Sequence, residues 1–248
     1  MRRFALLPFL FLLLASAPAF SLSNAPYLSP GEVDLTHILP PPPALNSPAE
    51  RRDLDYLLTV QSARTPTALM RAEADGAVSI YRFADVLGPD FAKDKLPVFD
   101  AFITKAIGEE GVPLNAAKNF WHRPRPFERE PALNPPADLK DGVANPHPPG
   151  APGPVTYSFA YPSGHATFGA LMAILLADMV PEKRADLFAR GWEYGENRVV
   201  GGVHFQTDVD SGRIDAAVIA AALMRNAAFR ADFADAKTEL RRVVNLPR

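Results

Sequence analysis

The sequence predicts an all-α protein built as a single-domain helical bundle. Apolar residues recur at helical spacing in one segment after another, and alternating β patterns are nearly absent. The chain has 248 residues, 48% of them hydrophobic, which is enough to bury one sizeable core. No internal repeat divides it, so we expect one folded unit behind an N-terminal leader.

Residues 1–19 have the pattern of a secretory signal peptide. Two arginines precede the apolar run FALLPFLFLLL, and Ala17–Ala19 supplies an A-x-A cleavage pattern. An uncleaved anchor is the alternative, but the run is shorter than the roughly 20 residues of a spanning helix. Later apolar runs are interrupted by Asp178 and Asp215. We therefore expect a periplasmic or secreted protein with no stable membrane span after signal removal.

Charge and cysteine usage exclude several functions. Without the leader the chain carries 24 basic and 28 acidic residues, a net charge of −4, which gives no support to nucleic-acid binding. Cysteine is absent, so disulfides, thiolate nucleophiles and thiolate metal sites are excluded. A core of this size needs no cross-links, which agrees with export to a bacterial periplasm.

The helices can be placed from their capping signals and apolar spacing. Residues 20–48 form a proline-rich arm, predicted to be extended with little regular structure, ahead of a folded domain over residues 49–248. Ser47, Pro48 and Glu50 form a capping-box signature at the start of the first helix. The proline-dense stretch between Trp121 and Tyr161 is predicted not to be helical. Further helices are predicted over residues 66–75, 96–120, 163–179, 181–200, 206–225 and 228–244.

Three short motifs carry the candidate chemistry, and each has an ordinary structural explanation when taken alone. Lys118, Arg123 and Arg125 could belong to a solvated basic loop. Ser163 could simply cap a helix that carries His165 in its first turn. The third motif contains Arg198, His204 and Asp208, of which the last two are four residues apart and could form a surface pair.

Together the motifs supply what phosphate chemistry needs. Lys118, Arg125 and Arg198 can neutralise phosphoryl oxygens, the two arginines as bidentate forks. Ser163 and Gly164 at a helix start offer backbone N–H donors. We expect His204, oriented by Asp208, to act as a nucleophile and His165 to protonate the leaving oxygen.

In their order and spacing these motifs resemble the three-part signature of the type 2 phosphatidic-acid phosphatase (PAP2) superfamily. Within it, the chain is similar to the bacterial class A non-specific acid phosphatases. The resemblance implies the acid phosphatase and vanadium haloperoxidase fold, and metal-independent hydrolysis of small-molecule phosphate monoesters through a phosphohistidine, with phosphotransferase activity as a further expectation. It also implies the roles of the site residues: His204 as nucleophile, His165 as general acid, Asp208 as the partner of His204, and Lys118, Arg125, Ser163, Gly164 and Arg198 as phosphate ligands.

The sequence departs from the family signature at one position, and several alternative functions remain. The family usually has serine before the third-motif arginine, where Asn197 stands here, so we expect altered fine geometry or substrate preference but no loss of activity. The alternatives are a vanadium haloperoxidase, a non-catalytic periplasmic phosphate-binding protein, and a metallohydrolase using His165, His204 and Asp208. The last is disfavoured because three cations would crowd a metal. No metal or cofactor is expected, and a homo-oligomer is left open.

Overall fold

The computed structural model describes residues 22–145 and 156–247, so the predicted signal peptide lies outside the described residues. Within those ranges the regular structure is helical, apart from one isolated bridge between Ala144 and Tyr157. The all-α prediction is confirmed. The α-helices are α1 (Leu35–Ile38), α2 (Pro48–Ala63), α3 (Pro66–Ala74), α4 (Ala84–Leu87), α5 (Pro97–Trp121), α6 (Pro126–Arg129), α7 (Ala137–Asp141), α8 (Gly164–Met179), α9 (Arg184–Val200), α10 (Gln206–Arg225) and α11 (Ala227–Val243).

Short 3-10 turns cover Ile80–Phe83, Lys93–Lys95 and Pro181–Lys183. The third of these begins the segment that was predicted as one helix over residues 181–200, and α9 follows it directly. In the described part of the chain, no helix combines the length and apolar character that crossing a lipid bilayer requires.

The capping signals place the helix starts correctly. The hydroxyl of Ser47 accepts a hydrogen bond of 3.1 Å from the amide of Glu50, and Pro48 is the first residue of α2. Ser163 caps α8 by accepting from the amide of Ala166. Each cap satisfies an amide that the helix itself leaves without a partner, so these residues define where the helices begin.

The proline-rich segments contain more helix than was predicted. The arm includes α1, whose N-cap Asp34 accepts from the amide of Thr36. The stretch between Trp121 and Tyr161 includes α6 and α7, so the prediction of no helix there is wrong. Pro126 is the first residue of α6 and Pro136 is the cap of α7. Proline disrupts a helix interior, but its fixed φ suits the first turn, where its missing N–H costs nothing.

Helix α8 lies at the centre of the bundle. Most of its side chains are buried, including Leu171, Met172, Leu175 and Leu176, which are fully enclosed. It packs against α9 and α10 along its length and also against α5 and α11. A helix that is apolar all round must be surrounded by other elements, so α8 organises the core.

The same packing brings four helix ends together. α8 and α10 begin, and α5 and α9 end, at the residues that carry the predicted motifs. Consecutive antiparallel helices place the start of one beside the end of its neighbour, and α8, α9 and α10 follow one another with short connections. The motifs are therefore gathered at one end of the bundle.

Helices α8 and α9 cross at a pair of glycines. A Cβ on Gly169 would lie 2.6 Å from the carbonyl oxygen of Gly191, and a Cβ on Gly191 would lie 2.6 Å from the Cβ of Ala173. Neither distance is compatible with a real side chain, and the nearest neighbours include backbone that cannot rotate away. The close crossing of the two helices thus requires glycine at both positions.

We expect Gly191→Ala to lower the free energy of unfolding by about 1–3 kcal/mol, because the added methyl forces the two helices apart. Chemical denaturation followed by circular dichroism measures it. Gly108→Ala in α5 is the matched control, since a Cβ there meets nothing within 4 Å. The control should be neutral or stabilising by up to about 1 kcal/mol. Equal effects of the two substitutions would contradict a packing role for Gly191.

Candidate active site

A small cavity lies where the helix ends meet. Three residues predicted for the site line its wall, namely His165, Arg198 and His204. The remaining lining residues come from the turn after α3, from the region of α7 and from the α9–α10 connection: Gly76, Asp138, Leu139, Gly142, Val143 and Val203. The other predicted residues do not line this cavity, although Arg125 and Asp208 contact His204 in its wall.

The contacts of His204 fix its tautomer. Nη1 of Arg125 lies 2.7 Å from Nε2 of His204, and a guanidinium nitrogen can only donate, so Nε2 carries the lone pair. The other ring nitrogen, Nδ1, lies 3.1 Å from Oδ2 of Asp208 and donates to it. Burial, with Arg125 and Lys118 nearby, holds the pKa of His204 well below its usual value. The ring is therefore neutral, with one nucleophilic nitrogen available.

Asp208 is fully buried, and both its carboxylate and its backbone carbonyl accept hydrogen bonds. Oδ2 accepts from Nδ1 of His204 and from the amide of Phe205 at 2.9 Å. Oδ1 accepts from Nη1 of Arg123 at 2.5 Å, and the backbone carbonyl accepts from the amide of Ser163. Burial raises the pKa of Asp208, while the charge of Arg123 and the amide of Phe205 oppose this.

His165 is held in the complementary tautomer. Its Nε2 lies 2.9 Å from the carbonyl oxygen of Gly76, and a carbonyl can only accept, so Nε2 carries the hydrogen. In the neutral ring this leaves Nδ1 as the nitrogen able to receive a further proton. Burial, together with the charges of Arg198, Arg125 and Lys118, lowers the pKa of His165 to about 3. The ring is uncharged in the empty site at any moderately acidic pH.

Of the three predicted cations, Arg125 and Arg198 are buried and Lys118 is partly buried, and all three are held by backbone oxygens. Arg125 donates to the carbonyls of Ser158 at 2.6 Å and Val203 at 3.0 Å. Nζ of Lys118 donates to the carbonyl of Phe159 at 2.7 Å. Arg198 donates to the carbonyl at the end of α3 at 2.9 Å, and its buried Nε has no partner among the described residues. A donor left unpaired at the cavity is a ready partner for a ligand oxygen.

The pKa values of these cations are lowered mainly because burial removes their charges from water, and for Lys118 and Arg125 also because a like charge lies nearby. Desolvation and the charge of Arg125 lower the pKa of Lys118 to about 7. Desolvation lowers the pKa of Arg125 and that of Arg198 to about 10. A bound anion would relieve this repulsion, so the electrostatics of the cavity favour a negatively charged ligand.

Ser163 and Gly164 occupy the start of α8, as predicted. Ser163 is the N-cap and Gly164 is the first helical residue, so the amides of the first turn point toward the end of the bundle where the motifs meet. A Cβ on Gly164 would lie 3.1 Å from Cδ2 of Leu114, which leaves little space for a larger residue. Neither residue belongs to the cavity wall in the empty site.

Two supporting residues were not predicted from the sequence. Arg123, considered only as part of a basic loop, is buried and bridges Asp208 to Asp53, with Nη2 2.9 Å from the latter. Asp75 is buried at the end of α3, where Arg190 donates to both of its oxygens and its carbonyl holds Arg198. Apart from Arg82, which lies seven positions from Asp75, these side-chain partners are 70 to 123 positions away in sequence, so no local pattern signals them.

Asn197, the departure from the usual serine, contributes to the Asp75 cluster. Its Nδ2 donates to Oδ2 of Asp75 at 2.7 Å. The side chain is buried in α9 and is not among the cavity residues. Its amide thus supports the turn that holds Arg198 and His165, because Gly76 follows Asp75 directly.

Comparisons with known proteins identify a family and several relatives of this chain. The family model described as PAP2 superfamily matches residues 101–232. A non-specific acid phosphatase of Salmonella typhimurium is 31% identical over 237 residues, covering 89% of this chain and 86% of the relative. An acid phosphatase of Zymomonas mobilis is 31% identical over 207 residues, covering 82% of this chain and 74% of the relative. A transmembrane PAP2-type phosphatidylglycerolphosphate phosphatase from Bacillus subtilis aligns with a TM-score of 0.47 and 16% identity, over 73% of this chain and 87% of that one.

The chain therefore belongs to the PAP2 superfamily. Its similarity to bacterial acid phosphatases over most of its length identifies it as a phosphatase.

The lowered pKa of Lys118 predicts pH-dependent anion binding. Lys118 is charged below about pH 7 and loses its charge above it, whereas Arg125 and Arg198 stay charged to about pH 10. Sulfate is a suitable probe because it remains a tetrahedral dianion throughout. We expect sulfate to bind more weakly as the pH rises from 6 to 9, which means that its dissociation constant or inhibition constant increases. Isothermal titration calorimetry or competition with a substrate measures it.

The control for this prediction is Lys118→Met, which removes the titrating amine but keeps an unbranched side chain. This variant should bind sulfate weakly at pH 6 and no more weakly at pH 9. A wild-type inhibition constant that stays constant from pH 6 to pH 9 would rule out Lys118 as the titrating group.

Proposed function

We propose that the protein is a metal-independent, non-specific acid phosphatase that hydrolyses small-molecule phosphate monoesters through a phosphohistidine on His204. The observation that carries this proposal is the pair of fixed tautomers. His204 has its lone pair on Nε2, and His165, in the wall of the same cavity, has only Nδ1 free to take a proton. A protein that only binds an anion would need neither a nucleophilic nitrogen on His204 nor a proton-accepting nitrogen on His165.

The first step transfers the phosphoryl group. Nε2 of His204 attacks phosphorus while the bond to the ester oxygen breaks, and Asp208 stabilises the positive charge that develops on the ring. Arg125, Arg198 and Lys118, with the amides at the start of α8, neutralise the phosphoryl oxygens. Since Arg125 occupies Nε2 in the empty site, it has to move its donor from the nitrogen to a phosphoryl oxygen when the substrate binds.

His165 supplies the proton for the leaving oxygen. Its pKa of about 3 in the empty site is too low for a general acid, but a bound phosphate brings negative charge beside the ring and raises that pKa. Acidic solution further favours the protonated ring, so we expect an acidic to near-neutral pH optimum. In the second step His165 takes a proton from water, which then cleaves the N–P bond; a small alcohol in place of water gives phosphotransferase activity.

The alternatives have separate tests. A vanadium haloperoxidase would oxidise bromide with peroxide and vanadate. A metallohydrolase would lose activity on dialysis against a chelator and recover it with zinc or magnesium. The geometry disfavours this last alternative, because both oxygens of Asp208 already accept hydrogen bonds and the residue does not line the cavity.

The signal pattern in residues 1–19 supports export, and we propose the periplasm or the extracellular space as the location. Whether copies of the chain associate is a separate question, which analytical ultracentrifugation of the processed protein answers.

We predict that labelled substrate transiently phosphorylates His204. Alkaline denaturing quench preserves the N–P bond, and peptide mapping locates the label. His204→Ala should abolish both label and turnover. Asp208→Asn should keep the fold but slow turnover by roughly 10²- to 10⁴-fold, because the ring loses its charged partner. His37→Ala, in the exposed part of α1, is the control and should leave both unchanged. Label on serine or aspartate would overturn the mechanism.

A second prediction concerns the leaving group. His165→Ala should lower kcat by roughly 10²- to 10⁴-fold for an alkyl phosphate, whose oxygen needs a proton as it departs. The loss should be much smaller for 4-nitrophenyl phosphate, because nitrophenolate departs without one. Steady-state kinetics with both esters measures the difference. An equal loss on both would mean that His165 binds phosphate but does not act as the acid.

A further inference from the structure

The cavity between the two histidines is too small for a substrate. Its volume is about 20 Å³, which holds about one water molecule. A phosphoryl group alone brings phosphorus and four oxygens, and an ester adds its alcohol. Either the site binds nothing larger than water, or one of its walls moves when the substrate enters.

The wall that fills this space is the side chain of Leu139 on α7, which is only 4% exposed. Its Cδ2 lies 2.7 Å from the position that a Cβ on Gly76 would take, and its Cδ1 lies 2.5 Å from the equivalent position on Gly201. Leu139 therefore fits between two backbone surfaces that only glycine can provide. Gly76 also binds His165 through its carbonyl, so the leucine stands on the side of the general acid.

Helix α7 is attached to the rest of the protein mainly by this apolar contact. Among the described residues, no side-chain hydrogen bond or ion pair involves positions 137 to 142, although the ammonium of Lys140 lies 5.3 Å from the ring centre of Phe127. Firm attachments occur on either side. The carbonyl of Asn134 accepts from Arg64 at 2.8 Å, and the carbonyl of Val143 accepts from the amide of Ser158 at 2.9 Å. The helix can thus move between two fixed points.

We propose that Leu139 determines which leaving groups the enzyme accepts. Helix α7 covers the empty site, an entering phosphate monoester displaces Leu139, and the leaving group takes its place between Gly76 and Gly201 beside His165. The vacated slot has glycine backbone on two sides and Val143 and Val203 in its lining, so it suits a flat, apolar, aromatic alcohol of limited size. This inference rests on the proposed phosphatase function.

The test compares phenyl phosphate with 2-naphthyl phosphate, whose leaving groups are similar in acidity and differ in size. Leu139→Ala should raise the ratio of kcat/KM for the naphthyl ester to that for the phenyl ester by about tenfold, the scale on which a pocket discriminates one or two methylene groups. Leu139→Val, which removes one methylene and preserves more packing, should raise the ratio less. Leu139→Trp should lower it.

The matched control is Leu133→Ala. Leu133 lies in the same loop and is 5% exposed, but it packs against α2 residues and not against the cavity. This variant should leave the ratio unchanged. If Leu139→Val and Leu139→Ala are folded and active but keep the wild-type ratio, the inference is wrong.

A second measurement does not depend on turnover. The chain has no cysteine, so Leu139→Cys introduces the only thiol. Sulfate should increase the rate of thiol modification several-fold, because the anion and the closed position of α7 compete for the same space. Leu133→Cys should show no change. An unaltered or slower reaction at position 139 would overturn the displacement of α7. If instead the wild-type protein hydrolyses neither ester, the proposed function fails, and the thiol measurement still decides whether α7 covers the anion site.

Discussion

The buried carboxylate of Asp208 connects the parts of the site more than any other group. Its side chain orients His204, accepts the amide at the start of α10 and pairs with Arg123, while its carbonyl accepts the amide of Ser163 at the start of α8. Four elements are therefore positioned through one residue. Deleting an enclosed carboxylate of this kind breaks one of the two buried ion pairs of Arg123, which costs more than loss of a surface ion pair.

Arg123 is the cation in direct contact with that carboxylate, and its charge opposes the rise in the pKa of Asp208 that burial causes. It reaches Asp208 from the side opposite His204, binds Asp53 through its other nitrogen and lies 3.7 Å above the ring of Phe205. A planar guanidinium suits this combination of two forked contacts and a stacked ring, which a lysine ammonium would not reproduce. The cation that contacts the carboxylate is thus a different side chain from Lys118 and Arg125, although the charges of these two also lower the pKa of Asp208.

Whether a feature of the fold or the site could be predicted from the sequence depended on how far apart its interacting residues lie in the chain. Ser47 and Ser163 predict helix starts correctly because each hydroxyl accepts a hydrogen bond from an amide only three residues later. The short helices α6 and α7 were missed because proline was weighed as a helix breaker, although at a first turn it is favourable. Asp75 and Arg123 carry no local signal, since their meaning comes from partners in distant helices. Leu139 could not be singled out from the sequence, because the sequence does not reveal that two glycines flank this side chain in space.

The glycine crossing of α8 and α9 has a consequence for how the protein can change over time. Where Gly169 meets Gly191, backbone touches backbone. The spacing of the two helices is therefore set by van der Waals contact between backbone atoms and not by side-chain conformations. His165 on one helix and Arg198 on the other are therefore held in register by a contact that substitutions in the surrounding apolar core do not reach. Core residues can therefore be exchanged for others of similar volume while the distance between His165 and Arg198 stays the same.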